Sequence, residues 1–173
     1  RDYARDHDLQ ITYVRQDYLT LDVEARFDAI LLVHGDFSNL SPMQAGNLLD
    51  RVHYALKPGG RFALEVVTRE HGRRYGVDNQ WYVAQDGFWR EARHLVMREG
   101  FYYPEEKVQL NQYVIVDKDG TVTVYRNWFQ HYTPDSIAVL LADHGFGLAY
   151  LGADLRGTLY AKDSPWIGVV AQK

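Results

Sequence analysis

The sequence predicts an α/β fold: a mostly parallel framework sheet with a second, antiparallel sheet inserted into it. Three observations carry this. Residues 27–67 read as strand, capped helix, glycine stop and strand. Half of the chain's Trp, Tyr and Phe residues crowd into the stretch from Trp81 to Tyr132, under a third of its length. A second capped helix follows, then two apolar strands joined by too short a segment for a crossover helix.

Taken in order, residues 3–9 read as the end of a helix, and "ITYVRQDYL" has the β-branched and aromatic character of a strand. Phe27 to Val33 is a continuous apolar run, the form of a strand buried on both faces of a parallel sheet. Ser41 at N-cap, Pro42 at N1 and Gln44 at N3 open the next helix with a capping box. Ala45, Leu48, Leu49, Val52 and Leu56 follow at helical spacing, Gly59-Gly60 marks the stop, and "RFALEVV" is a second buried strand. The four pieces form a βαβ unit with a right-handed crossover.

The insert spans about residues 81–132. "YVIVDKDGTVTVYR" alternates around Asp119-Gly120 and predicts a hairpin, with "FWREARHLVMRE" and "EKVQLNQ" as further strands beside it. The framework resumes at Thr133-Pro134, again N-cap and N1, with Ile137, Leu140 and Leu141 as the apolar stripe and Gly145 as the stop. "FGLAYLGA" and "WIGVVAQK" close the chain as an antiparallel pair. Gly145 and Gly147 follow a helix instead of opening one, so they read as a helix stop and not a cofactor loop.

Composition narrows the function. The net charge of −4 and pI near 6.0 provide no basic field for a nucleic-acid backbone, and no apolar run is long enough for a membrane span. The 173 residues contain no cysteine, which removes disulfides, thiolate metal sites and a cysteine nucleophile, and is compatible with a cytoplasmic location. The seven histidines form no HExxH and no ligand-spaced pair, so no metal is expected. The N-terminal "RDYARDHDLQ" is charged and starts in mid-helix without a methionine, so the single domain over 1–173 is expected to be a truncated one.

Four stretches in order resemble the C-terminal two-thirds of a class I S-adenosylmethionine-dependent methyltransferase of the small-molecule type. "VRQDYLTL" is similar to the family's third strand and its acidic end, and "FDAILLVHGDFSNLSP" to its fourth strand and cofactor-facing loop. "LLDRVHYALKPGGRFALEV" is similar to its helix, turn and fifth strand. "HYTPDSIAVLLADHGF" with the closing hairpin resembles its last helix, sixth strand and reversed seventh strand. The resemblance implies a Rossmann-like sheet in which the third, fourth, fifth, seventh and sixth strands are present. The first two strands and the glycine-rich loop are missing. The gap is explained by truncation, by a shift of the first segment onto "FDAILLV", or by a second copy, which makes a homodimer a further expectation.

The same resemblance implies S-adenosylmethionine as cofactor and methyl transfer to the oxygen or nitrogen of a small-molecule acceptor. Asp17 would accept from the adenine amino group, and Tyr18 would offer its N–H and ring; a loop aspartate capping local amides is the plain alternative. His34 and Gly35 stand where the strand leaves the sheet, the usual ligand position of open α/β folds, and would face the methionine end. Asp36 would orient the acceptor or take its proton, and His34 is the second catalytic candidate. Tyr102, Tyr103, Trp128 and His131 would wall the acceptor pocket, with Tyr160 from the closing hairpin; packing within a small sheet is the plain alternative. Arg69, Arg73 and Arg74 form a basic cluster read as a solvated loop or as recognition of an anionic acceptor. The rival readings are a nicotinamide-dependent reductase, which would prefer a parallel strand to a reversed hairpin, and a non-catalytic interaction module.

Overall fold

The computed structural model describes residues 2–173. Two four-stranded sheets organise them. The framework sheet starts with β1 (Phe27–Leu32) and β2 (Leu56–Val67), parallel neighbours joined by the helix α2 (Pro42–Ala55). Beside β2 lies β8 (Trp166–Gln172), antiparallel to it, and β7 (Gly147–Gly152) completes the order β1-β2-β8-β7. This is the fourth, fifth, seventh and sixth strand of the expected fold, with the seventh reversed.

Both predicted caps form. Ser41 Oγ accepts from the Gln44 N–H and Gln44 Oε1 accepts from the Ser41 N–H, closing a capping box. Thr133 and Ser136 repeat it at the start of α4 (Pro134–Asp143), and Gly145 follows that helix at φ +82°. The apolar stripes of α2 and α4, Leu48, Leu49, Val52, Ile137 and Leu141, pack on Phe62, Leu64, Val66, Ile167 and Val169 of the sheet. Each such side chain removed from water contributes about 1.5–3 kcal/mol.

The structure departs from expectation at several points of the framework and its N-terminal approach. Helix α2 ends at Ala55, before Gly59-Gly60, because Pro58 holds Lys57 extended and Leu56 already has ψ 141°. The Lys57-Pro-Gly-Gly segment instead bulges out of β2, whose partner in β1 slips from Phe27↔Leu56 to Ala29↔Arg61. The first helix, α1, covers Asp2–Asp6. "ITYVRQDYL" forms no strand: residues 9–17 are irregular, Val14 is 70% exposed, and Tyr18–Thr20 make a 3-10 turn. β-branching favours a strand only where a neighbour completes the hydrogen-bond ladder, and among the described residues β1 has a neighbour on its β2 side alone. A helix not read from sequence, α3 (Arg69–Tyr75), follows β2, capped by Thr68. Seven residues are too few to show a helical period.

The insert is an antiparallel meander of β3 (Gln80–Ala84), β4 (His94–Tyr103), β5 (Val108–Asp117) and β6 (Val122–Gln130). The Asp119-Gly120 turn stands where expected, with Val116 opposite Val122. "EKVQLNQ" and "YVIVD" are one strand instead of two, β3 was not anticipated, and residues 88–93 lie outside β4. Insert and framework join where β6 returns: the His131 N–H donates to Lys107 O of the insert and the Tyr132 N–H to Val67 O of the framework. No helix among the described residues is long and apolar enough to cross a membrane. No cluster of three or more potential metal ligands occurs among them.

Candidate active site

Chain direction changes sharply at the carboxyl end of β1. His34 and Gly35 both take left-handed backbone conformations, φ +62° and +73°, and a 3-10 turn, Asp36–Asn39, follows at once. The turn is anchored from below. Phe37 and Ser38 are buried, and Ser38 Oγ accepts the Val67 N–H at 3.0 Å. With those two side chains facing inward, His34 and Asp36 are left at the exposed rim.

Gly35 has a specific steric reason. A Cβ there would stand 2.8 Å from the Trp166 ring and 3.2 Å from Val67. The space it vacates is filled by Trp166, so towards a ligand it offers backbone only. The His34 N–H is held by Glu65 Oε2 at 3.0 Å. Glu65 is a half-buried carboxylate in the middle of β2 that sequence reasoning passed over. Its signal was present: an acid inside the otherwise apolar "RFALEVV" is an anomaly worth explaining.

Asp17 Oδ1 accepts the Leu19 N–H at 2.9 Å, capping its own turn as the plain reading required. That turn sets Tyr18 beside the rim. Burial, and then the carboxylates of Asp36 and Asp17, raise the Tyr18 pKa, so both carboxylates lie within electrostatic range of the phenol. Among the described residues neither aspartate has an ion-pair partner. Tyr18 also heads a small apolar groove of about 80 Å³ along Ile30, Leu32 and Val52.

The aromatic candidates divide between two cavities at the seam of insert and framework. Tyr103 and Trp128, ring centroids 5.9 Å apart, line one of about 480 Å³ with Ser38, Leu40 and Gln130. Tyr102, His131 and Tyr160 line another of about 350 Å³ with Arg69. Tyr102 and Tyr103 separate because successive residues of β4 point to opposite faces. Tyr102 stacks on His131 at 5.8 Å, and the Arg69 guanidinium lies 3.4 Å over the Tyr102 ring.

The arginine cluster lies on the helix α3 and not on a loop, with Arg73 and Arg74 exposed to solvent. Arg73 pairs with Glu70 at 2.6 Å, and Arg74 with Asp163 at 3.4 Å. His71, on the unanticipated α3, packs edge-on against Trp166 at 4.8 Å and faces Phe129 at 5.8 Å. Burial lowers its pKa, so the imidazole is neutral at pH 7. No sequence signal could have found it, since its position depends on α3.

No protein-family model matches the chain. A curated yeast protein, the tRNA(Thr) (cytosine(32)-N(3))-methyltransferase of Saccharomyces cerevisiae, is 28% identical over 111 residues, 54% of this chain and 17% of that protein. Among solved structures, an S-adenosylmethionine-dependent methyltransferase from Clostridium acetobutylicum superposes with TM-score 0.71 at 14% identity, covering 99% of this chain and 68% of that one. The CcbJ methyltransferase from Streptomyces caelestis gives 0.64 at 16% identity over 91% and 62%. The sugar N-methyltransferase KedS8 from Streptoalloteichus gives 0.58 at 15% over 96% and 66%. The chain thus spans about a sixth of the curated relative and about two-thirds of these structures. Strand order, the reversed β8 and these superpositions agree: the chain carries the class I S-adenosylmethionine-dependent methyltransferase fold.

Proposed function

We propose that this chain supplies the acceptor side and one wall of the cofactor site of an enzyme that methylates the oxygen or nitrogen of a small molecule. The observation that carries the reading is the left-handed turn His34-Gly35 at the carboxyl end of β1, with Asp36 exposed at its rim and in electrostatic range of Tyr18. Two carboxylates without ion-pair partners, Asp17 and Asp36, in electrostatic range of a phenol suit an adenosine amino group and a nearby positive sulfonium. The cofactor, when bound, contributes a methyl group on a sulfonium sulfur that departs as a neutral thioether.

The chain's own residues then have limited tasks. Asp17 accepts from the adenine amino group with the oxygen its turn leaves over. Tyr18 contributes its N–H and ring. His34 and the Gly35 backbone border the methionine end, in a conformation that Glu65 stabilises through the His34 N–H. Asp36 orients the acceptor and receives its proton where one must leave. The insert encloses the acceptor and keeps water out, so alignment supplies much of the rate. The reversed β8 speaks against the reductase alternative, which prefers a parallel strand there.

Calorimetry on the protein at its full natural length tests this. S-adenosylhomocysteine is expected to bind, with Asp17→Asn weakening it about tenfold, roughly 1.4 kcal/mol. Asp36→Ala should lower kcat and leave cofactor affinity nearly unchanged. Absence of binding heat at millimolar ligand overturns the proposal and favours a non-catalytic interaction module.

A further inference from the structure

We propose that the cavity between α3, the β6–α4 junction and the closing loop is an oxyanion site, built to hold a carboxylate or phosphate group carried by the acceptor. That the anion belongs to an acceptor rests on the methyltransferase reading; that the cavity binds an anion does not.

The charges facing the cavity are unequal. Arg69, Lys107 and Lys162 line it, and among the described residues none of the three makes an ion pair. One carboxylate, Glu70, also lines the cavity and is answered by Arg73 at 2.6 Å; Asp163, close to Tyr160, is answered by Arg74 at 3.4 Å. The Arg69 guanidinium lies 3.4 Å over the Tyr102 ring, and its N–H donors answer no carboxylate among the described residues.

A second observation is independent of charge. His131 is 5% exposed, lines the cavity, and neither of its ring nitrogens has a hydrogen-bond partner. A buried imidazole without a partner is costly to keep, and its stack on Tyr102 holds the ring in place. Burial, followed by the charges of Arg69 and His71, lowers its pKa to about 4. At pH 7 it is therefore a neutral ring with one N–H to donate and one nitrogen to accept. The Tyr160 hydroxyl is a further donor on the same wall, and its raised pKa keeps its proton in place. Three cations and the Tyr160 hydroxyl thus line one cavity whose single lining carboxylate, Glu70, is already paired with Arg73. A neutral sugar hydroxyl would leave the three cations unanswered, whereas an oxyanion answers them beside the buried His131 ring. At about 350 Å³ the cavity takes one small ionised group and not a run of nucleic-acid backbone, in keeping with the chain's net charge of −4.

The test uses inorganic phosphate and acetate as probes, with sodium chloride at matched ionic strength as control. The readout is the ¹⁵N shifts of the His131 ring. Phosphate or acetate is expected to move those resonances saturably at millimolar concentration, and the tighter of the two identifies the group. Lys107→Gln with Lys162→Gln, both exposed positions, should weaken the response roughly tenfold while the fold persists by circular dichroism. No saturable movement of the His131 signals, an equal response to chloride, or unchanged affinity in the double variant overturns the site. Binding of tRNA with steep salt dependence, without a phosphate or acetate response, also overturns it. S-adenosylhomocysteine calorimetry on the same sample separates the two ideas: anion binding without cofactor binding keeps the site and removes the acceptor from it.

Discussion

The two sheets of this molecule are stabilised in different ways. In the framework, Phe62, Leu64 and Val66 of β2 are fully buried between α2, α4 and β8, and its stability is that of a packed apolar core. In the insert, Trp81, Val83, Val124 and Trp128 stand substantially exposed. Order there comes from pairing along the meander, from a small buried patch centred on the paired Val96 and Ile115, and from a surface cluster. Trp89 packs on Tyr113 and Tyr125 at 4.9 and 4.8 Å, and Arg90 pairs with Asp117 at 3.0 Å. A tightly packed sheet can hold a rim in place, while an open aromatic one can be altered to suit a ligand. The candidate groups follow this division: His34, Gly35 and Asp36, proposed for the cofactor side, stand on the framework, and Tyr102, Tyr103 and Trp128, proposed as acceptor walls, stand on the insert.

The largest expected effect would break this comparison at the framework. Phe62→Ala should cost about 3–5 kcal/mol in urea denaturation, because the void it leaves has rigid neighbours on every side. A loss below 1 kcal/mol would mean that the framework is not the stabilising half.

Next is the seam. The His131 pKa falls from its ordinary 6.5 to about 4 on folding, so folding favours the neutral ring. The stability it carries is complete above pH 6.5. It is lost as pH falls from 6.5 to 4, where the unfolded chain binds a proton that the folded one does not. The loss is at most about 3 kcal/mol. Urea melts at pH 7 and 4.5 should show it in the wild type, and His131→Phe, which keeps a ring on Tyr102, should remove that part of the acid sensitivity. An identical pH slope in the variant would show that the seam does not depend on this ring.

The smallest effect belongs to the insert surface. Trp81, 72% exposed, should tolerate Ser with a change under about 0.5 kcal/mol. A cost comparable to that of Phe62→Ala would show that this face of the insert is covered by something that Trp81 touches.

Much of this architecture could be read along the chain. Ser41-Pro42 and Thr133-Pro134 start their helices as their side-chain chemistry dictates, because capping is local. The Asp119-Gly120 turn, the apolar strands and the reversed closing pair follow from alternation and spacing over a few residues. What failed to read was set at a distance. "ITYVRQDYL" has the composition of a strand and forms none, since a strand exists only where a neighbour's ladder accepts it. The Lys-Pro-Gly-Gly segment reads as a helix stop, yet it bulges within β2, where Lys173 exchanges backbone hydrogen bonds with Gly59 and Gly60.

The candidate site divides in the same way. The sequence by itself placed His34, Gly35 and Asp36 at the end of a strand and put aromatic residues near them, because strand ends and aromatic density are local properties. The tertiary structure alone decided the rest. Trp166 occupies the space above Gly35, Glu65 holds the His34 N–H, and Tyr102 and Tyr103 part into different cavities. His131 is buried without a hydrogen-bond partner in the cavity that Arg69, Lys107 and Lys162 line. Each of these depends on contacts between residues far apart in the chain, and burial and electrostatics arise only when such residues meet.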